Sequence, residues 1–366
     1  MIPCAYPKAQ YLPHRDEILD ALRAVLDSGL YILGREVATF ETEFSNYLGI
    51  EHAVGCASGT DALVLALRTL NIGRGDEVIV PSHTATATVA AVVQAGATPV
   101  FVDIEPEYFT IDVSAVDAAC TERTKAVIAV HLYGQAADLD GLTAIARRRR
   151  ISLIEDCAQA GGASHRGRKL GTIGDIGCYS FFPTKNIGAI GDGGALACSN
   201  AELAARLRRL RQYGWDENRI SLEAGMNSRL DELQAAILRV KLRHVDADNA
   251  ERRRQAAFYR AALSSLPLEL PAERASAQHV YHLFVVRSNE RNALIQHLKR
   301  NEIAAGIHYE TPNHLMPAFR SGLRLPRTDK IAGEIVSLPL FPGLEERSLE
   351  RVVSAIAGFF ENRPRQ

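Results

Sequence analysis

Between Glu51 and Ser199 the chain alternates short apolar runs with stretches of helical spacing, and no other feature limits its fold so tightly. Ala53–Cys56, Val78–Pro81, Pro99–Ile104, Ala126–Leu132 and Ser152–Glu155 are apolar, largely β-branched and bounded by Gly, Pro or Asp, as strands are. Between them, Asp61–Leu70, Thr86–Gln94, Val113–Ala119 and Leu139–Arg149 space apolar residues three and four apart. Strands joined by crossover helices pair in parallel, so the pattern predicts an α/β fold with a mainly parallel sheet covered by helices on both faces. After Glu155 the rhythm changes. Ile176–Phe181 and Gly194–Cys198 are separated by a glycine-rich segment and need no crossover helix.

Further along, helices are expected over Glu202–Gln212 and from Arg229 to Arg243, running on towards Tyr259. Strand signals at Tyr281–Val286 and Ile303–Tyr309 then alternate with helices Arg291–Arg300 and Leu349–Phe359. The 366 residues suit two packed domains. A large α/β domain is expected over residues 1–244 and a smaller C-terminal α+β domain over 245–366.

Charge excludes one class of partner. Forty-two Lys and Arg against 43 Asp and Glu leave a net charge of −1, without the basic excess that nucleic acid or an anionic membrane selects. Two basic clusters have plain explanations: Arg147–Arg150 ends a helix, where cations complement the dipole, and Arg206, Arg208, Arg209 and Arg211 line the solvated face of another. The six cysteines are scattered, forming neither a disulfide framework nor a metal module. The opening residues carry no basic and apolar leader pattern, and the weakly polar stretch Thr84–Val102 is broken by Gln94, Gly96 and Pro99. A cytoplasmic protein is expected.

Three elements carry chemistry. In Ala57-Ser58-Gly59-Thr60-Asp61 a strand ends, a small polar turn follows and a helix begins, which taken alone is first of all an N-cap and only secondarily a phosphate site. Asp156 stands at the carboxyl end of an apolar strand, where open α/β sheets bind ligands, with Gln159 three residues on. A buried carboxylate there needs a cation; a helix-capping acid is the bland alternative. Lys185 lies between the aromatic run Tyr179-Ser180-Phe181-Phe182 and the glycines 188, 191, 193 and 194. Desolvation would lower its pKa and make it a nucleophile towards carbonyls. Together the three are what pyridoxal 5′-phosphate needs: a turn for the phosphate, Asp156 for the protonated ring nitrogen and Lys185 for the Schiff base.

The sequence resembles the DegT/DnrJ/EryC1/StrS sugar aminotransferases, which are fold type I pyridoxal phosphate enzymes. The likeness rests on Ser58–Leu63, Gly75–Ser82, Glu155–Gln159, Ser180–Asn186, Gly191–Gly194, Asn227–Ala236 and Ser337–Phe341. It implies a seven-stranded, mostly parallel sheet, with Lys185 linked to the cofactor, Asp156 on its ring nitrogen and Gln159 on its ring hydroxyl. Gly59, Thr60 and Ser180 would hold the phosphate, and Asn227 would reach the phosphate of a neighbouring subunit, so that a homodimer shares its active sites. Relatives carry an aromatic residue at the position of Ala85; His83 is the candidate to face the ring in its place, a packed structural histidine being the alternative. Tyr31, His308 and Tyr309 are candidate substrate contacts. The resemblance implies amino transfer from L-glutamate to a nucleotide-linked keto sugar, with C3 of a dTDP-3-keto-6-deoxyhexose as the expected acceptor. Amination at C4, amination of a cyclitol ketone, and a cofactor-binding regulatory protein without turnover are the alternatives.

Overall fold

The computed structural model describes residues 1–361. Strands β1 (His52–Cys56), β2 (Glu77–Pro81), β3 (Thr98–Val102), β4 (Thr124–Val130) and β5 (Ser152–Asp156) form where the apolar runs lie. Two short pieces follow, β6 (Ser164–His165) and β7 (Arg168–Lys169), then β8 (Ile176–Ser180) and β9 (Gly194–Cys198). Seven of these make one sheet in the order β1-β9-β8-β5-β4-β2-β3. All neighbours pair in parallel except at β9, which runs against both β8 and β1. The glycine-rich link from β8 to β9 permits that single reversal, because an antiparallel neighbour needs no crossover helix.

The helices are α1 (Arg15–Ser28), α2 (Arg35–Leu48), α3 (Gly59–Thr69), α4 (Thr86–Gln94), α5 (Val113–Ala119) and α6 (Leu139–Arg149). After β9 come α7 (Ala201–Leu210), α8 (Glu232–Leu242) and α9 (Val245–Ala262). The stretch expected to continue from Arg243 towards Tyr259 is therefore broken at Arg243–His244. Along each strand, successive residues face opposite layers. Val78, Val80 and Ile128 pack with α3, α4 and α7, whereas Ile79, Val127 and Ala129 pack with α2, α5, α6 and α8. Sharp helix starts fix the connections: the side chains of Ser58, Asp112, Asp138 and Asn200 each accept backbone N–H groups of the first turn.

A third apolar cluster lies beyond α9. It joins Tyr259 to β11 (Phe284–Arg287), α10 (Arg291–Arg300), β12 (Ile335–Leu338) and α12 (Glu346–Glu361), with Ile2 of the N-terminus packed into it. Here β10 (Ala277–Gln278) pairs with β6, and α11 (Pro326–Glu334) leads into β12. The partner of β11 is β12, not the expected strand Ile303–Tyr309. That segment makes only single bridges, Ile303 with Ile2 and Gly306 with Ser337. It then leaves the sheet, which frees His308 and Tyr309 for the cavity described below.

The arginine reading holds for α6, whose last turn carries Arg147–Arg149. It fails for Arg211. That side chain is 7% exposed, donating to Glu41 and to the Gly55 carbonyl at 2.7 Å. Arg211 lies just past the C-terminus of α7, where the chain turns inward against β1. Among the described residues no helix is long and apolar enough to cross a membrane.

Candidate active site

A cavity of about 520 Å³ opens at the carboxyl ends of β5 and β8, and it is lined by Gly59, Thr60, Asp156, Gln159, Ser180 and Lys185. His308 and Tyr309 line it from the other side. Eight of the residues singled out in the sequence thus share one space, although they come from four separate segments.

The turn before α3 presents unpaired donors. Ser58 caps the helix through Asp61 N at 3.1 Å, and the N–H groups of Gly59 and Thr60 have no acceptor among the described residues. The Ser180 hydroxyl accepts only a long bond from Phe182 N at 3.4 Å, so its proton is also available. A side chain at position 59 would not fit: a Cβ there would lie 2.6 Å from Ser180 Cβ. The glycine therefore brings the helix N-terminus against Ser180 and leaves a compact cluster of donors. Such a cluster, at the positive end of a helix dipole, suits a phosphate.

Asp156 ends β5 with its carboxylate buried, 4% of the residue being exposed. Its Oδ2 accepts the Thr88 hydroxyl at 2.8 Å and Oδ1 accepts Ala158 N at 3.1 Å. Burial raises its pKa above the usual value against the lowering pull of Thr88, Ala158 and Lys185. The remaining lone pairs face the cavity without a cationic hydrogen-bond partner. A protonated ring nitrogen would supply the missing charge. The adjacent Glu155 has the opposite fate. Burial alone would raise it, but His131 at 3.0 Å and the N–H groups of Gly171, Ile173 and Gly174 hold it below the usual range. Ala137 N donates to His131 Nδ1, so the imidazole proton sits on Nε2 and points at Glu155. Glu155 thus clamps the loop after β7 to the sheet and fixes the strand end that carries Asp156.

Lys185 lines the cavity with its amine desolvated, and burial brings its pKa down to about 8 against the opposing charge of Asp156. An ordinary lysine titrates near ~10.4, so at pH 8 it is under about 1% neutral. Lys185 would be half neutral at the same pH. An amine-directed aldehyde followed by borohydride is therefore expected to label Lys185 of the cofactor-free protein with a rate that rises through pH 8. Peptide mass spectrometry checks this; labelling that rises only with the surface lysines would refute it. The same shift has a stability sign. Between about pH 8 and the ordinary lysine range the unfolded chain holds more protons than the folded one, so stability rises with pH there.

Gln159 accepts Tyr133 N at 2.7 Å through Oε1 and donates to Tyr309 Oη at 2.9 Å, leaving a second amide hydrogen free. His308 Nδ1 meets Ser337 Oγ at 2.8 Å. Three expected residues are not at the cavity wall. His83 is 1% exposed and lies behind it, with Nε2 2.7 Å from Tyr133 Oη. Since Tyr133 donates its hydroxyl to the His308 carbonyl, His83 must donate to Tyr133. His83 is thus a packed residue that supports the 308 segment, and Thr84, Ala85 and Thr88 supply the wall. Asn227 is exposed and bridges to Gln212. Tyr31 is 51% exposed, and its hydroxyl donates to the Leu26 carbonyl at 3.2 Å.

Other lining residues were not singled out. Thr88 is spaced one turn from Thr84 and meets its hydroxyl at 3.1 Å, but nothing in the Thr-Ala-Thr start of α4 set it apart from Thr86. Cys4, Tyr6 and Gln10 of the N-terminal segment also line the cavity, and Gln10 donates to the Lys185 carbonyl at 3.2 Å. Arg252 of α9 and His282 are further unforeseen members.

Residues 13–357 match the model of the DegT/DnrJ/EryC1/StrS aminotransferase family. The chain is 45% identical over 357 residues to a UDP-N-acetyl-3-dehydro-alpha-D-glucosamine 3-aminotransferase of Acidithiobacillus ferrooxidans, covering 97% of each protein. It is also 45% identical to a dTDP-3-amino-3,4,6-trideoxy-alpha-D-glucose transaminase of Streptomyces venezuelae, covering 98% of this chain and 96% of that protein. Its fold superposes on a crystal structure of S. venezuelae DesV in complex with a ketimine intermediate with a TM-score of 0.97, at 44% identity and 99% coverage of both chains.

Proposed function

The chain belongs to the DegT/DnrJ/EryC1/StrS aminotransferase family, and from that membership we propose that it moves an amino group from L-glutamate to C3 of a nucleotide-linked keto sugar, using pyridoxal 5′-phosphate. One observation carries the reading: a buried strand-end carboxylate without a cationic hydrogen-bond partner, a lysine with a lowered pKa and a glycine turn with free N–H groups face a single cavity. The donor set matches the three ends of this cofactor, namely phosphate, ring nitrogen and aldehyde carbon. The names of the two similar enzymes, both acting at position 3 of a nucleotide sugar, support the ketone position. They differ in nucleotide, and a dTDP-3-keto-6-deoxyhexose is the acceptor we favour.

When bound, the cofactor accepts the electrons released as the donor's Cα–H bond breaks and carries the amino group to the acceptor. The protein's part is to position and to move protons. Gly59, Thr60 and Ser180 hold the phosphate. Asp156, aimed by Thr88 and Ala158 N, would keep the proton on the ring nitrogen, and the free amide hydrogen of Gln159 would serve the ring hydroxyl. The Lys185 amine, neutral in half its population at pH 8, takes the proton from the donor's Cα and returns it on the other side of the transfer. His308 and Tyr309 close the substrate side.

We place the active sites in a homodimer. Ile32 bridges to Asp231, and Gln234 of the next helix binds both N and O of Ile190, so the exposed side chains Ile32 and Ile190 share one surface. Exposed Phe182 stands near it in sequence and also lines the cavity. Exposed apolar side chains of this kind suit a second subunit, whose Asn227 would then reach the phosphate. In this reading residues 1–244 carry the cofactor and the described residues from 245 onward form the smaller domain, the last five of the expected 245–366 lying outside the described residues. Free thiols at all six cysteines suit the cytoplasm.

The test is a panel of keto sugar nucleotides incubated with the loaded enzyme and L-glutamate, with products identified by mass spectrometry. A 3-amino sugar nucleotide is expected. Exclusive formation of a 4-amino product, or an aminated cyclitol, would reject the ketone assignment. No spectral change of the cofactor on adding glutamate would reject catalysis and leave a binding protein.

A further inference from the structure

Helix α9 buries one face through Val245, Asn249, Arg252, Ala256 and Tyr259, a spacing of three to four residues that belongs to the apolar side of a helix. A guanidinium on that face is costly unless its charge is answered. Arg252 is 3% exposed and forms no ion pair among the described residues; Asp248, one turn earlier on α9, acts on its charge from beyond ion-pairing distance. Its Nη1 donates to the carbonyls of Tyr281, His282 and Leu340 at 3.3–3.4 Å, its Nε has no partner, and its Nη2 makes no hydrogen bond among the described residues. The side chain nevertheless lines the active-site cavity. It is an anchored cation with an unused Nη2 donor on the wall of a site that must accept an acid.

Its position relative to the reacting lysine is fixed by side-chain bonds. Asn249, one turn earlier on the same face, accepts Asn186 Nδ2 at 2.7 Å, and Asn186 follows Lys185 directly. His282, whose carbonyl receives Arg252, holds Asn186 Oδ1 through its ring at 3.2 Å. The helix, the 281–283 segment and the lysine loop therefore form one hydrogen-bonded unit. Two anions could meet the guanidinium: a carboxylate of the amino donor or the diphosphate of the sugar nucleotide. The cofactor phosphate has its own donors at Gly59, Thr60 and Ser180. Placement beside the lysine loop favours the donor, whose amine must reach the Lys185 position.

We infer that Arg252 binds a carboxylate of the amino donor through its free Nη2. This inference rests on the aminotransferase reading above, and it names the donor-recognition residue of that site. A buried guanidinium whose Nη1 is placed among three carbonyls and whose Nη2 is free suits a carboxylate, because little side-chain entropy remains to be lost on binding. Burial, which brings the guanidinium pKa down to about 10, still leaves it charged at neutral pH.

The experiment uses the cofactor-loaded enzyme and its Arg252→Lys and Arg252→Gln variants, with each half-reaction followed separately. Removing the guanidinium is expected to raise KM for L-glutamate by ~10-fold or more, with more in the Gln variant, as loss of a charge-assisted bond should. The kcat at saturating glutamate and the KM for the keto sugar nucleotide should move by less than about 3-fold. Glutarate, which has the carboxylates and no amine, should lose affinity in parallel when titrated by calorimetry. An unchanged glutamate KM overturns the inference, as does a raised KM for the sugar nucleotide alone, which would assign Arg252 to the diphosphate. Equal loss in both half-reactions with a lowered thermal midpoint also overturns it, since the arginine would then be holding the three carbonyls only. If the wild-type enzyme itself fails to respond to glutamate, the aminotransferase reading has failed, and that result is separate from any variant.

Discussion

Lys185→Ala is expected to slow the glutamate half-reaction by roughly four orders of magnitude and to remove the visible absorbance of the lysine-linked cofactor. The magnitude follows from the absence of a substitute. His282 and His308 are the imidazoles on the cavity wall, but each has its Nδ1 engaged, by Asn186 and by Ser337. Burial and the nearby Lys185 charge also lower both pKa values. Neither can form the covalent link that an amine forms with an aldehyde. Stopped-flow spectroscopy after adding L-glutamate measures the loss. Turnover retained within tenfold would remove Lys185 from the mechanism, and a residual rate that followed an imidazole titration would assign the proton transfer to one of the histidines.

Asp156→Asn is expected to lower turnover by about a thousandfold while leaving the fold intact, because asparagine keeps the shape but cannot hold a proton on the ring nitrogen. A second readout needs no catalysis. In the cofactor-free protein the raised pKa of Asp156 means that its ionised form is disfavoured by folding. The sign follows directly: the folded state binds more protons than the unfolded chain between the two pKa values, so this group's contribution to stability falls as pH rises through that window. A cationic ring relieves that penalty. Cofactor loading should therefore raise the thermal midpoint of the wild-type protein more than that of the Asn variant at neutral pH. Equal increments would mean that the carboxylate does not meet the ring. Thr88→Val, which removes one of the two bonds aiming the carboxylate, should show a smaller loss of the same kind.

The alternation of strand and helix was legible because each element declares itself locally, through residue spacing and through the turn residues at its ends. The large sheet, its parallel pairing and the glycine-linked reversal at β9 all follow from that pattern. The second half was harder to read. Ile303–Tyr309 has strand-like composition, yet β11 pairs with Ile335–Leu338, because pairing depends on what packs against it and not on local propensity. Helices α1 and α2 gave no chemical signal; α2 buries Phe40 and Phe44 against the sheet, and α1 packs Ile18 on Ile237 and Val240 of α8.

The sequence by itself determined the fold class and the order of the chemical elements: a glycine turn, a strand-end acid and a lysine between aromatic and glycine segments. Those are properties of neighbouring residues. Only the tertiary structure decided that Thr88 aims Asp156 across 68 positions, that His83 turns away behind the wall, and that Arg252 reaches the cavity from α9 with an edge unpaired. Contacts between distant segments are set by how whole elements pack. A side chain's burial, its partners and hence its charge are therefore decided by layers of the protein that leave no mark in its own stretch of chain.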